Sequence, residues 1–150
     1  MERTLILVKP DAFARNLTGE IIARFERKGL KLLALRQMVI ERELAQRHYA
    51  EHEGKGFFQG LVDYITSEPV VAMVIEGEGA IEGCRSTIGA TNPIKAAPGS
   101  IRGDYGQTID RNLVHGSDSP ESAAREVAIF FRDDELFARV NVLGDWVAPK

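Results

Sequence analysis

The sequence predicts an α+β fold, a ferredoxin-like βαββαβ sandwich with helices packed on a four-stranded antiparallel sheet. Three observations predict it. Short β-branched and apolar runs alternate with segments of helical spacing, the order β-α-β occurs on both sides of a helical insertion, and 150 residues that are 44% hydrophobic suffice for one core. We expect a single domain over residues 1–150, with the helices on one face of the sheet. A doubly wound parallel sheet is the weaker alternative.

The first β-α-β unit opens the chain. The run TLILVK at Thr4–Lys9 predicts a buried strand that a Pro-Asp pair ends. A helix is expected from Thr18, because apolar residues form one stripe there and Gly29 follows as a stop. LKLLALRQMVI then predicts the second strand. The stripe of the helix comprises Ile21, Ile22 and Phe25.

Two helices are predicted between the units. The segment Glu41–His52, ERELAQRHYAEH, is polar and contains few helix breakers. The next helix begins just beyond two glycines, and its apolar residues recur at helical spacing. These residues are Phe58, Leu61, Val62 and Ile65.

The second unit begins with the strand VVAMVIE. The segment GATNPIKAAPGSIRGDYG, residues 89–106, has no periodicity and is predicted to be a long loop. Such a loop inside a small domain is usually functional. Between the strand and the loop lies a helix marked by Ala80, Ile81, Cys84 and Ile88.

The last strand and helix of the second unit surround His115. A short strand is expected directly before this histidine, and Ser119 is predicted to cap a helix that has Pro120 at its first position. The residues expected to face inward from this helix are Ala124, Val127, Ala128 and Phe131.

Composition limits the partners and the location. The net charge is −3 with basic and acidic residues interleaved, so the chain offers no cationic stripe for nucleic acid. Apolar runs such as VVAMVI are far shorter than a membrane span, and the start MERTLILVKPD lacks a signal-peptide cleavage pattern. We therefore expect a soluble, cytoplasmic protein with no membrane and no nucleic acid as partner. Cys84, the only cysteine, is expected to be a small buried residue.

Two motifs suggest other chemistries and are weak. VIEGEGAIEG resembles a dinucleotide-binding turn, but its third glycine, Gly83, comes one residue late, which favours an ordinary strand-to-helix turn. HYAEH at His48–His52 has the spacing of a zinc hydrolase, yet zinc needs a third ligand and two exposed histidines are the commoner outcome. A zinc hydrolase and a nonenzymatic oligomeric scaffold are the alternative functions.

His115 is the strongest candidate for a nucleophile. It lies between a strand and a tight Gly-Ser-Asp-Ser turn, and Gly116 is expected to leave space beside the ring for a bulky group. A neutral imidazole offers an unprotonated nitrogen for attack, and Glu126, on the following helix, is expected to supply the carboxylate that fixes the tautomer. A histidine that merely caps or fills is the alternative.

Donors and cations that suit phosphoryl transfer occur around this histidine. Arg85, Thr91 and Arg102 lie in or beside the long loop, with Lys9 and Asn112 at strand ends. Together with His115 these residues make the chain resemble the nucleoside diphosphate kinase family over almost its whole length. The most specific block is NLVHGSDSPESAAREVAIFF, and others are ERTLILVKPDAF, HYAEHEGKGFFQGL and GATNPIKAAPGSIRGDYG.

The resemblance implies a reaction. The terminal phosphate of a nucleoside triphosphate would pass to a nucleoside diphosphate by a ping-pong route through a phosphohistidine at His115, with broad base specificity. Mg²⁺ would bridge the nucleotide phosphates without a dedicated protein ligand, and Asp118 would contribute through water.

The resemblance also implies a role for each matching residue. Glu126 and Ser117 would orient His115, and Tyr49 and Lys9 would lie near the transferring group. Stacking of the base on its aromatic residue explains broad specificity, because every base has a π-face. The residues that would bind the nucleotide are Arg85, Thr91 and Arg102 for the phosphates, Lys9 and Asn112 for the sugar, and Phe57 for the base.

The chain departs from the family pattern at two places. Gly56 stands before the paired phenylalanines where members often have proline, and glycine is expected to loosen the backbone at this entrance beside Phe57. The tail FARVNVLGDWVAPK carries Trp146 and Val147, apolar residues that a neighbouring subunit would cover. Long-tailed members of the family tend to be hexamers, so a homohexamer is expected, with a tetramer as the alternative.

Overall fold

The computed structural model describes residues 1–138, 140 and 144–147. Its sheet has the spatial order β2-β3-β1-β4, and every neighbouring pair is antiparallel. The strands are β1 (Glu2–Val8), β2 (Lys31–Met38), β3 (Val70–Gly77) and β4 (Val114–Gly116). Strand order and direction confirm the ferredoxin-like prediction.

Helices connect the strands as the spacing predicts, with one helix divided. The segment Glu41–His52 forms an α-helix that ends at His48 and a separate 3-10 turn, Ala50–His52. No helix in the described part of the chain is long and apolar enough to span a membrane. The α-helices are α1 (Pro10–Ala14), α2 (Thr18–Arg27), α3 (Arg42–His48), α4 (Phe58–Ile65), α5 (Ala80–Ile88), α6 (Ile101–Tyr105), α7 (Pro120–Phe130) and α8 (Gly144–Val147).

Helices cover both faces of the sheet, so the expectation of a single covered face is wrong. Leu5 and Leu7 of β1 pack in one core cluster with residues of α3, α4 and α7. Ile6 and Val8 pack in a second cluster with residues of α2 and α5. Only α2 and α5 belong to the ferredoxin-like plan. The inserted helices α3 and α4, together with α7, shield the other face, as strands with continuous apolar runs require.

The second core cluster includes Cys84, as expected. Its side chain is buried against the sheet, and burial raises the pKa of the thiol to about 12. The thiol is therefore protonated at neutral pH, and Cys84 acts as a packing residue.

The segment 89–106 is not a continuous loop. It contains a 3-10 turn, Pro93–Lys95, and helix α6, which Ser100 caps by accepting a hydrogen bond from the Gly103 N–H at 3.0 Å. Helix α6 is only five residues long, so it spans too few turns to show a periodic apolar pattern.

The inward face of α7 differs from the predicted one. Ser119 does cap the helix, and Val127 and Phe131 pack at the core as expected. The other two predicted residues, Ala124 and Ala128, are exposed, and the helix instead buries Ala123, Glu126 and Phe130. The prediction considered apolar residues alone. It was wrong at Ala124 and Ala128 because the buried stripe contains a glutamate whose carboxylate has hydrogen-bond partners inside the protein.

Candidate active site

His115 lies on the short edge strand β4, where it pairs with Leu7 of β1. Its side chain is partly exposed, at 22%. The neighbouring Gly116 does not leave space beside the ring, contrary to expectation, because a Cβ there would meet Ile88 Cδ1 at 2.8 Å. Gly116 instead allows β4 to pack closely on Ile88 of α5.

A buried carboxylate holds the ring of His115. Glu126 Oε2 accepts from Nε2 of His115 at 2.8 Å and from the hydroxyl of Ser117 at 2.6 Å. Burial raises the pKa of Glu126, but the hydrogen bonds from His115 and Ser117 outweigh it and lower the pKa to about 2. An ionised carboxylate only accepts hydrogen bonds, so the proton of a neutral His115 is on Nε2 and the lone pair is on Nδ1.

A second group of predicted residues lies beside the first and is linked by hydrogen bonds. Nζ of Lys9 donates to Oδ1 of Asn112 at 2.7 Å, and the amide of Asn112 donates to the Thr91 carbonyl at 3.0 Å. Arg85 donates to the Gly116 carbonyl at 3.2 Å. These contacts place Lys9, Asn112, Thr91 and Arg85 around the backbone of β4.

Arg102 is the most buried cation of this group, at 3% exposure. Its guanidinium donates to three carbonyls, those of Asn112, Gly89 and Val114, at 3.0, 3.1 and 2.6 Å. Two of the five guanidinium N–H donors remain for other partners.

Positive charge is concentrated in this group. Burial and the charge of Arg102 lower the pKa of Lys9 to about 8, and burial and the charge of Arg85 lower the pKa of Arg102 to about 10. Asp11 opposes both shifts in part. Mutual repulsion of cations next to a partly exposed histidine favours the binding of an anion such as a phosphate group.

Tyr49 joins the histidine group, and Phe57 lies outside both groups. Tyr49 is 8% exposed, and burial, together with the charge of Glu126, raises the pKa of its phenol to about 12. Phe57 is 54% exposed and lies beside His52 and Lys55, with ring centroids 5.4 Å apart and an ammonium-to-centroid distance of 5.6 Å. An exposed aromatic face of this kind is available for stacking.

The motif HYAEH does not form the zinc pair that its spacing suggests. His48 is buried at 4% exposure, not exposed, and α3 ends at this residue, so His52 lies in the 3-10 turn instead of one helical turn away. In the described part of the chain, the His/Cys/Asp/Glu group with metal-binding geometry is His48, His115 and Glu126.

Sequence reasoning missed His48 as part of this site. Its ring packs edge-on against His115, with centroids 4.8 Å apart at 86°, and lies 4.7 Å from the ring of Tyr49. Burial, and to a smaller extent the charge of His115, lowers the pKa of His48 to about 3, so this imidazole is neutral. The motif marked the residue, but only the fold brings it to His115.

A second missed feature supports the backbone before His115. Leu113 has a positive φ of +75°, a strained conformation for a branched residue. Its N–H donates to Asp11 Oδ2 at 3.1 Å, and Asp11 also accepts from the hydroxyl of Tyr64. Lys9 N–H donates to the Leu113 carbonyl at 2.8 Å, so both peptide groups of the strained residue are held.

The last two features singled out in the sequence are the turn VIEGEGAIEG and Asp118. Gly79 adopts a left-handed conformation, φ +55°, directly before α5, as an ordinary strand-to-helix turn requires. Gly83 lies within α5, and the antiparallel sheet is unlike that of a dinucleotide-binding fold. Asp118 is exposed beside the cap of α7.

Comparison with known proteins agrees with this architecture. The family model described as nucleoside diphosphate kinase matches residues 2–136. Curated relatives include the nucleoside diphosphate kinases of Carboxydothermus hydrogenoformans, 58% identical over 98% of this chain and 99% of the relative, and Archaeoglobus fulgidus, 57% identical over 98% and 97%.

Solved structures give the same result. A nucleoside diphosphate kinase family protein from Babesia bovis has a TM-score of 0.95 and 45% identity, over 98% of this chain and 99% of that one. A halophilic nucleoside diphosphate kinase from Halobacterium salinarum, solved in complex with CDP, has a TM-score of 0.94 and 51% identity, over 97% of each chain.

Proposed function

The chain belongs to the nucleoside diphosphate kinase family and is a phosphotransferase, and we propose that it passes the terminal phosphate of a nucleoside triphosphate to a diphosphate through a phosphohistidine at His115. The observation that carries this proposal is the hydrogen bond from His115 Nε2 to the ionised Glu126, next to a group of cations. It leaves a lone pair on a fixed imidazole where a phosphate is attracted.

The chemistry has two symmetrical halves. In the first, Nδ1 of His115 attacks the terminal phosphorus, a P–N bond forms, and the bond to the bridging oxygen breaks with its electron pair on the departing diphosphate. The proton on Nε2 stays in place, and Glu126 stabilises the positive charge of the phosphorylated ring. In the second half, the terminal oxygen of another diphosphate attacks the same phosphorus, and the P–N bond breaks to restore neutral His115.

The cations stabilise the transferring group. Phosphoryl transfer spreads negative charge over three equatorial oxygens, so fixed donors there lower the barrier. Arg102 keeps two N–H donors and Lys9 keeps two ammonium donors beyond their protein contacts. We assign Arg85, Arg102 and Thr91 to the phosphates, and Lys9 and Tyr49 to positions near the transferring group.

Three residues are assigned to the sugar and the base of the nucleotide. Asn112 and Lys9 form a hydrogen-bonded pair suited to the sugar hydroxyls, and the exposed ring of Phe57 is suited to stacking on the base. Stacking does not read base edges, which supports broad specificity.

Mg²⁺ is proposed to arrive with the nucleotide. Mg²⁺ prefers oxygen ligands, whereas two of the three donors in the described metal-binding group are imidazoles. The described residues therefore suit a Mg²⁺ ion whose ligands are the phosphate oxygens of the nucleotide and water. Asp118 is exposed and free to contribute through a water molecule.

We further propose that the chain acts as one domain in a cytoplasmic homohexamer, with a tetramer as the alternative. Exposed apolar side chains support an assembly: Trp146 of α8 is 89% exposed and Ile94 is 80% exposed. Much of the tail lies outside the described residues. Sedimentation equilibrium distinguishes six subunits from four.

Steady-state kinetics test the proposed reaction. We expect parallel double-reciprocal lines when ATP is varied at several fixed concentrations of GDP, because a ping-pong enzyme releases ADP before GDP binds. His115→Ala should abolish turnover and keep the assembly, while His52→Ala should keep both. Intersecting lines would rule out the phosphohistidine route.

A further inference from the structure

The buried imidazole of His48 has no role in the proposed phosphotransfer. Among the described residues, neither of its ring nitrogens has a hydrogen-bond partner, although the side chain is 4% exposed. Buried polar groups are almost always paired, so two nitrogens without a partner in one ring call for a partner from outside the chain, a water molecule or an ion.

The partners for such a ligand are adjacent. One donor atom from each of His48, His115 and Glu126 lies within 4.8 Å of the others. We propose that these three side chains form a binding site for a zinc-class divalent cation, and that a cation bound there prevents phosphorylation of His115. The second part of this proposal rests on the proposed role of His115 as the nucleophile.

The donor set selects the metal. Two imidazole nitrogens and one carboxylate oxygen match the ligands of three-coordinate protein zinc sites, which leave a fourth position for water. Imidazole donors suit zinc and cobalt, whereas Mg²⁺ prefers oxygen and keeps its water. The partly exposed side of His115 provides access for the fourth ligand.

The three donor atoms must move slightly closer together to bind one zinc ion. Tetrahedral ligands at about 2.1 Å from zinc lie about 3.4 Å from one another. The donor atoms lie within 4.8 Å of one another, so the most distant pair must approach by up to about 1.4 Å. His115 Nε2 and Glu126 Oε2 are already 2.8 Å apart, and their shared hydrogen bond would be exchanged for bonds to the metal.

Arg125 lies on α7 and links this helix to α3. The two helices supply the proposed ligands Glu126 and His48. Its guanidinium lies 3.4 Å from the carbonyls of Arg47 and His48 at the end of α3. It also lies 3.7 Å from Oε1 of Glu126 on α7, which leaves Oε2 facing the histidine. The contacts of Arg125, which is not itself a ligand, thus hold His48 and Glu126 in position.

A bound metal blocks the attack of His115 on phosphorus for a simple reason. A neutral imidazole has one lone pair, because its other nitrogen carries the proton. A metal on Nδ1 occupies the attacking atom directly. A metal on Nε2 displaces the proton, and the neutral ring then carries it on Nδ1. Either way His115 loses the lone pair that would attack phosphorus.

Cobalt binding tests the site without any nucleotide. Co²⁺ is titrated into the full-length protein, freed of metal by chelator, and visible absorption reports coordination by nitrogen ligands. We expect one Co²⁺ per chain, displaced by Zn²⁺ and not by Mg²⁺. His48→Phe keeps a ring of similar size and removes only the donor, and His52→Gln is the matched control in the same motif.

Loss of the ligand should weaken Co²⁺ binding by at least about 10- to 100-fold in His48→Phe, and His52→Gln should bind as the wild type does. Equal binding by wild type and His48→Phe, or no binding by the wild type, would overturn the site. If His48→Phe fails to fold, His115→Ala replaces it: this variant should also lose Co²⁺ binding, and binding equal to that of the wild type would contradict the proposal.

Inhibition is measured separately. Each protein is incubated with Zn²⁺, desalted and labelled with γ-labelled ATP, and its labelling is compared with its own zinc-free value. The wild type and His52→Gln should lose at least about tenfold in labelling, and His48→Phe less than about twofold. Absence of labelling in every sample, including the zinc-free ones, would refute the phosphohistidine mechanism and leave the Co²⁺ result standing.

Discussion

Glu126 Oε2 lies 2.8 Å from Nε2 of His115 and 2.6 Å from the hydroxyl of Ser117. One buried oxygen therefore fixes both the tautomer of the histidine and the hydroxyl beside it. This contact also explains why a glutamate occupies the inward face of α7.

Glu126→Gln should disturb the tautomer more than the fold. A glutamine amide donates to Nε2, which moves the proton to Nδ1 and removes the lone pair for attack. We expect a fall in kcat of about 100- to 10,000-fold, as for the loss of other groups that orient a catalytic histidine. Glu121→Gln, an exposed change in the first turn of the same helix, is the control. A loss below about tenfold for Glu126→Gln would contradict this role.

The buried His48 should make stability depend on pH. Its pKa is about 3 in the folded protein and 6.5 in the ordinary imidazole, so the unfolded chain binds more protons between these values. The free energy of unfolding should therefore fall as pH drops below 6.5, by up to about 1.4 kcal/mol per pH unit from this group.

Urea unfolding between pH 7 and pH 5, with chelator present, measures this dependence. In His48→Phe the corresponding part of the pH dependence should disappear. A variant whose slope equals that of the wild type would show that His48 is not the titrating group.

Replacing Arg102 should lower both stability and kcat/KM, whereas replacing Arg85 should lower mainly kcat/KM. Arg102→Lys removes at least two of the three donors to buried carbonyls, at about 1–3 kcal/mol for each unsatisfied group, so we expect lower stability as well as lower kcat/KM. Arg85→Lys affects one carbonyl contact, and should lower kcat/KM with little loss of stability. Thermal unfolding and steady-state kinetics distinguish them; equal stability of the two variants would contradict the prediction.

Asp11 should stabilise the strained backbone at Leu113. Asp11→Ala leaves the N–H of Leu113 without its carboxylate acceptor, and we expect a loss of about 1–3 kcal/mol in unfolding free energy together with slower phosphorylation. Tyr64→Phe removes only the phenol hydrogen bond to Asp11 and is the matched control. If Tyr64→Phe proved as harmful as Asp11→Ala, the phenol and not the strained peptide would be the important contact.

The strands and longer helices could be predicted from the sequence because their signals are local. TLILVK and VVAMVIE are continuous apolar runs, and Thr18, Ser119 and Gly29 mark helix ends. The five-residue helix α6 gave no signal, since its start depends on Ser100 capping a turn within a segment that lacks apolar periodicity. The second covered face was missed because the simple plan has no helical insertion.

The candidate site was predictable only in part. The block around His115 marked the candidate nucleophile and the glutamate on the next helix that contacts it, and the wider resemblance supplied the basic residues beside them. His48 and Asp11 were missed because their contacts join residues far apart in the chain: Asp11 meets Leu113, and His48 meets His115. Such pairings follow from the strand order and from where α3 ends, which no local pattern encodes.

Labelling of the protein itself tests the central claim most directly. The protein is mixed with γ-labelled ATP and Mg²⁺ without acceptor, and then chased with GDP. We predict label on the wild type that survives alkali but not acid, no label on His115→Ala, and transfer of the label to form GTP. A folded wild type that converts ATP and GDP to ADP and GTP without ever carrying label, or a His115→Ala variant that is labelled equally, would contradict the phosphohistidine mechanism.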